Sequence, residues 1–157
     1  MAYVGVVGPS DASHDELGAA RELGVGLGRR GHVVVCGGLG GVMAAVSRGA
    51  AAAGGTVVGL LPGTDRADAN PDVTVAIPTG LGELRNALLV RSSNVVVSVG
   101  GSWGTLSEVA LAVRTGVPVI AIGGWRMTTA DGRTPADEPH RVATADAALV
   151  VLDRLLG

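Results

Sequence analysis

The chain has 157 residues, 47% of them hydrophobic, with a mean hydropathy of +0.43; it is long enough for one domain with a buried core and too apolar for disorder. A formal net charge of −2 and only 2% aromatic residues leave neither a basic stripe nor a stacking surface, which argues against nucleic acid as a partner. The 26 glycines are neither periodic nor gathered in one tract, which excludes collagen and a flexible linker.

Residues 2–7 (AYVGVV) read as a short buried strand ending in Gly8-Pro9-Ser10. A helix is predicted over 13–30, with Ser13 as N-cap and Glu16 three residues on completing a capping box. Leu17, Ala20, Leu23 and Leu27 follow at helical spacing, and Gly31 stops the helix. Residues 32–36 (HVVVC) form a second strand, followed by Gly37-Gly38-Leu39-Gly40-Gly41 and an Ala-rich helix from Val42 to Ala53. Residues 56–61 (TVVGLL) form the third strand, and the polar segment from Pro62 to Asp72 reads as a loop able to fold over a ligand. A fourth strand is expected at 73–77, then a helix over roughly 80–92 capped by Thr79. Residues 94–99 (NVVVSV) are a strand leading into Gly100-Gly101-Ser102-Trp103-Gly104, and a helix is expected from Thr105 to Thr115. Residues 117–122 (VPVIAI) are the last clear strand, Gly123 to Arg141 is polar, and the segment from Thr144 is an amphipathic helix.

Short continuous apolar runs alternating with helices are the pattern of a parallel sheet covered on both faces. The expected fold is α/β: one Rossmann-like domain over 1–157, with about six to seven parallel strands and helices on both sides. Right-handed crossovers bring the strand C-terminal ends to one edge, and ligands bind there near the point where strand order reverses.

All twelve basic residues are Arg. Without Lys there is neither a Walker A phosphate loop nor a pyridoxal phosphate Schiff base. Cys36 is the only cysteine, so no intramolecular disulfide forms, which fits a reducing cytoplasm. Its expected role is that of a small buried hydrophobe. His14, His32 and His140 show no metal-ligand spacing, and no metal site is expected. The N-terminus lacks a basic n-region, and no apolar run is long enough to span a bilayer; neither a signal peptide nor membrane insertion is expected.

Three glycine-rich segments fall at predicted strand ends: Gly8-Pro9-Ser10, Gly37 to Gly41, and Gly100 to Gly104. Each is expected to open a helix, whose free N–H groups and partial positive charge attract phosphate. Glycine lets the backbone approach an anion closely. One such loop read alone is an ordinary tight turn; three on one edge point to a ligand. The phosphate-contact candidates are Gly8, Ser10, Gly37, Gly38, Gly40, Gly41, Gly100, Gly101, Ser102, Gly104 and Thr105. The ordinary dinucleotide fingerprint fails: Met43 stands where its third glycine belongs, and Val58 where a ribose-binding acid is expected. Arg85 and Glu108 are the charged pair expected to face this edge, either as a structural ion pair or as functional groups. Trp103, a large aromatic in a tight loop, is expected either to cover a flat ring or to serve an interface.

The blocks GGLGGVMAAVSRGAAAAGGTVVGLLPG and TGLGELRNALLVRSSNVVVSVGGSWGTLSEVALA resemble the superfamily of lysine-decarboxylase-like Rossmann proteins. That superfamily includes the LOG cytokinin-activating phosphoribohydrolases and the molybdenum cofactor carrier proteins. The LOG pattern is Arg-Lys followed by Pro-Gly-Gly-x-Gly-Thr-x-x-Glu, with its Arg and Glu as the catalytic pair. Here Arg85 and Glu108 take those positions, Asn86 replaces the Lys, and Gly100-Gly101-Ser102 replaces Pro-Gly-Gly. The Arg-Asn pair and the Thr-Gly-x-Gly segment look closer to the carrier branch. The resemblance implies binding of a phosphate-bearing nucleotide or pterin-type cofactor such as molybdenum cofactor, with Asn86 added to the ligand-contact residues. No resident cofactor is implied, and lysine decarboxylation is excluded with Lys absent. The alternative it implies is hydrolysis of the N-glycosidic bond of nucleoside 5′-monophosphates by Arg85 and Glu108. It also implies self-association, as do the apolar helices; a homo-oligomer, dimer or tetramer, is expected.

Overall fold

The computed structural model describes residues 1–157. In chain order the elements are β1 (Tyr3–Val7), α1 (His14–Arg29), β2 (Val33–Cys36), α2 (Val42–Ala52), β3 (Thr56–Leu61) and β4 (Val75–Pro78). There follow α3 (Arg85–Arg91), β5 (Val95–Val99), α4 (Trp103–Arg114), β6 (Val119–Ile122), β7 (His140–Val142) and α5 (Ala145–Leu156). The seven strands form one sheet in the order β4-β3-β2-β1-β5-β6-β7, and every pairing is parallel. The chain steps outward from β1 to β4 and then returns to the other side of β1. Strand order therefore reverses between β1 and β5, where Gly5 pairs with Val96.

Alternate strand residues build two cores. Val4, Val6, Val34, Cys36, Val97 and Ile120 pack under α1, α2 and α5. Val7, Val35, Val96 and Val119 pack under α3 and α4, with Leu89, Val90 and Ala112. Central strands buried on both faces select β-branched residues throughout rather than an alternating pattern. No helix is long and apolar enough to cross a membrane.

The capping box of α1 is present, with Ser13 Oγ accepting from Glu16 N at 3.2 Å and Glu16 Oε2 accepting from Ser13 N at 2.9 Å. Consequently α1 starts at its own cap, and Gly8-Pro9-Ser10 does not open it directly. The helix expected over 80–92 is shorter. Gly80 and Gly82 adopt φ values of 65° and 57°, and a 3₁₀ turn (Gly82–Leu84) leads into α3. Thr79 does not cap α3; its hydroxyl donates to Leu61 O at 2.7 Å and accepts from Leu81 N at 3.2 Å. In the second glycine-rich helix start, Ser102 is the N-cap, so α4 begins at Trp103 rather than Thr105. The polar stretch Gly123 to Arg141 runs into the edge strand β7, whose His140 and Arg141 carry no apolar signal.

Glycine sets how closely α1 and α2 approach. A Cβ on Gly24 would land on the Val46 carbonyl oxygen and lie 2.9 Å from Ala50 N. One on Gly49 would land on the Arg21 carbonyl oxygen and lie 3.0 Å from Val25 N. The obstacles are backbone atoms, which yield only if the helices separate. Gly24→Val is therefore expected to cost about 3 kcal/mol or more. Gly18→Ala, in the same helix but with open space at its Cβ, is expected to stabilise by about 0.5–1 kcal/mol through helix propensity. Urea unfolding midpoints check the opposite signs.

Candidate functional site

Three loops meet at the C-terminal ends of β1, β2 and β5. A Cβ on Gly8 would lie 2.6 Å from Val99 O and 2.7 Å from Val42 Cβ, so this position binds the first loop to the other two. Gly41 has φ 62° and ψ −132°, a conformation other residues rarely adopt. Its Cβ would strike the carbonyls of Pro9 and Ser10, and Val42 N donates to Pro9 O at 3.1 Å. Gly41 is the N-cap of α2 and has no side chain to cap it. Ser102 caps α4, accepting from Thr105 N at 3.2 Å, with the two hydroxyls 3.0 Å apart. Gly100, at φ 67°, lies where a Cβ would meet the Glu16 carboxyl.

A cavity of 330 Å³ lies where α2 and α4 begin. Of the candidates, Gly8, Ser10, Ser102, Gly104 and Thr105 line it, together with Arg85, Asn86 and Glu108. Gly37, Gly38, Gly40, Gly41, Gly100 and Gly101 do not line it; they shape the loops behind. Gly37 and Gly38 are buried, whereas Gly40 is exposed. Pro62 is the one residue of the segment 62–72 in the cavity wall. Asn70 ties that segment to the second glycine loop, donating to Leu39 O at 3.0 Å and Gly38 O at 2.8 Å.

Arg85 is held by backbone. Its Nη1 donates to Gly37 O at 2.8 Å and Leu60 O at 2.5 Å, the carbonyls that end β2 and approach the end of β3. Its Nε is buried and has no partner. Burial lowers the Arg85 pKa, while Glu108 opposes that shift. Glu108 is half-buried, and burial pushes its carboxyl up to about 7, against the pull of Arg85. The pair makes no direct ion pair; the four salt bridges present all lie elsewhere.

Met43, Glu83 and Gly82 also line the cavity and were not among the candidates. Met43, in the first turn of α2, was signalled by the helix start itself. Glu83 had no signal, because its position depends on the 3₁₀ turn before α3. Trp103 is 76% exposed and stands outside the cavity, 4.8 Å from the Trp125 ring centroid. Cys36 is fully buried, 3.6 Å from Ser47 Oγ, and burial raises its thiol pKa.

A doubly wound parallel sheet with glycine loops gathered at its switch point defines a Rossmann-like α/β fold. The chain belongs to the SLOG cluster4 family, whose model matches residues 1–149. An uncharacterized protein of Archaeoglobus fulgidus is 38% identical over 133 residues, covering 81% of this chain and 87% of the relative. The molybdenum cofactor binding protein from the phototrophic bacterium Rippkaea orientalis is similar in structure, with TM-score 0.90 and 31% identity. That match covers 99% of this chain and 98% of the other. The molybdenum cofactor carrier protein of Chlamydomonas reinhardtii gives TM-score 0.85 at 34% identity, covering 99% of each chain.

Proposed function

We propose that this protein holds a phosphate-bearing pterin of the molybdenum cofactor type, or a nucleotide, as cargo at the glycine-loop edge. The observation that carries this reading is Arg85 in the wall of the cavity where α2 and α4 begin, with a buried Nε–H that no protein group accepts. A buried N–H without a partner is costly, and an anionic ligand supplies one. The uncapped α2 N-terminus adds free backbone donors and a favourable field for phosphate. The likeness to molybdenum cofactor binding and carrier proteins supports a pterin over a simple nucleotide.

One observation favours a second reading, phosphoribohydrolase action on nucleoside 5′-monophosphates. Glu108 titrates near neutrality inside the cavity, as a catalytic acid or base does. Against it, Asn86 stands in place of the LOG pattern's Lys, and the Arg85 Nη1 is committed to carbonyls.

Self-association is part of the proposal. Leu84 and Trp103 are 75% and 76% exposed, and Leu81 and Leu88 near Leu84 are exposed too. Exposed large apolar side chains of this kind fit a protein interface.

Native mass spectrometry of protein purified from cells, followed by denaturing release, tests both points. A co-purifying phosphorylated pterin or nucleotide on a dimer or tetramer is the expected result. Ligand-free protein that also fails to bind AMP and inorganic pyrophosphate would overturn the binding reading. Base release from AMP or CMP that is lost in Glu108→Gln would replace it with the hydrolase.

A further inference from the structure

A second cavity, of 270 Å³, lies on the other side of α4 from the glycine-loop site, beneath the segment 123–141. Thr105 lines both cavities. The α4 wall of the second one is apolar, made by Leu106, Val109 and Val113, and Trp125 and Met127 stand across from it. Trp125 is fixed in place by its Nε1–H, which donates to Ser102 O at 3.0 Å.

Opposite the apolar α4 wall the lining carries charge, and one of its charged groups is mostly buried. Arg141, on β7, has a side chain only 19% exposed, and its Nε is buried without a hydrogen-bond partner. The nearest carboxylate, Glu138, lies 3.6 Å from that Nε, too far to accept its hydrogen, and is itself 42% exposed. A mostly buried guanidinium with an N–H unsatisfied attracts a planar anion, which it engages through two parallel bonds. Asp137, Glu138 and Arg114 also line this cavity. The four charges cancel; with Glu138 swung out to solvent, Arg114 and Arg141 against Asp137 leave one positive charge, which suits a monoanion better than a dianionic phosphate. The volume lies just below the roughly 300–1,000 Å³ of ordinary ligand pockets, which fits a small molecule.

We infer that this cavity is a second ligand site, for a small monocarboxylic acid with a branched or aromatic apolar body. The carboxylate accepts from Arg141, displacing Glu138 toward solvent. The apolar body packs on Leu106, Val109 and Val113 beside Trp125. This assignment stands independently of what the glycine-loop edge binds.

Phenylacetate and isovalerate serve as probes, with phenylacetamide as the uncharged isostere. Binding to the intact protein is read by calorimetry and by tryptophan fluorescence. At least one acid is expected to bind saturably, and phenylacetate about tenfold or more tighter than its amide. Arg141→Gln is expected to erase that preference, and Glu138→Gln to tighten the acids by removing the competing carboxylate. Ala110→Trp, which adds bulk at an exposed position of the cavity wall, is expected to abolish binding, and saturating pyrophosphate to leave it unchanged. The inference is overturned if neither acid binds, as when a second copy of the chain covers α4. It is equally overturned if a folded Arg141→Gln variant keeps the preference for acid over amide, or if pyrophosphate displaces the acids.

Discussion

An Arg85→Met variant is expected to lose about 2–4 kcal/mol of stability and to bind AMP or pyrophosphate at least about a hundredfold more weakly. The stability loss follows from the guanidinium's two backbone bonds. Nη1 bridges the carbonyls of Gly37 and Leu60, tying the ends of β2 and β3 to the first residue of α3. Methionine keeps much of the apolar stem but leaves both carbonyls without this donor, and each bond from a charged donor is worth roughly 1.5–3 kcal/mol. The binding loss follows from the Nε, whose buried N–H has no protein partner. Arg85→Lys separates the two roles: a compact ammonium retains the charge but lacks the fork that serves carbonyls and ligand together. It is expected to recover part of the stability and little of the affinity. Urea unfolding and calorimetry on the same preparations check this. Normal affinity in a destabilised Arg85→Met protein would reduce Arg85 to a staple between strand ends.

Where a residue's role depends on its own period or cap, the sequence made it readable. The apolar runs predicted six of the seven strands; in β1, β2, β3, β5 and β6 burial on both faces leaves an uninterrupted apolar signature, whereas β4 is an edge strand with Val75 and Ile77 exposed. Ser13 and Glu16 announced the start of α1 because both halves of a capping box lie within four residues. β7 escaped because three residues at a sheet edge, two of them His140 and Arg141, have no pattern to display. The helix expected over 80–92 is shorter because Gly80 and Gly82 adopt positive φ values that turn the chain, a conformation that periodicity does not display.

The site divides along the same line. Glycine loops are local features, and their convergence follows from the crossover rule, so Gly8, Gly104 and Thr105 could be placed at one cavity in advance. The relation of Arg85 to Glu108 is different. Their interval along the chain matched a catalytic pair, but the carbonyls at the strand ends compete for the same guanidinium. That competition depends on the close approach at Gly37, where a Cβ would collide with Arg85 Nη1 and lie 2.5 Å from Met43 Sδ. No spacing rule encodes a three-body contact of that kind.

Glu108→Gln is expected to flatten the pH dependence of both stability and ligand affinity. Burial raises the folded-state pKa of Glu108 to about 7, above its ordinary value of 4.5. Between those values the folded protein holds a proton that the unfolded chain has released, so stability falls as pH rises through this window. The sign is that of a buried acid: the contribution is fully present below the unfolded pKa and lost once pH passes the folded one. The full shift corresponds to about 3 kcal/mol, which solvent reaching the half-buried side chain reduces to the order of 1–2 kcal/mol. Unfolding midpoints of the wild type and Glu108→Gln are expected to converge near pH 4 and to separate by pH 8, with the variant the more stable. A phosphate anion in the cavity raises the Glu108 pKa further, so binding above neutrality takes up a proton. Calorimetry in buffers of different ionisation enthalpy reads that proton directly, and the variant is expected to bind roughly tenfold more tightly than wild type at pH 8. The same substitution separates the two proposed functions. A carrier gains or keeps affinity when this carboxylate is neutralised, whereas a phosphoribohydrolase loses the group on which its chemistry turns. Tighter binding with no base release supports cargo holding; base release by the wild type that vanishes in the variant supports catalysis.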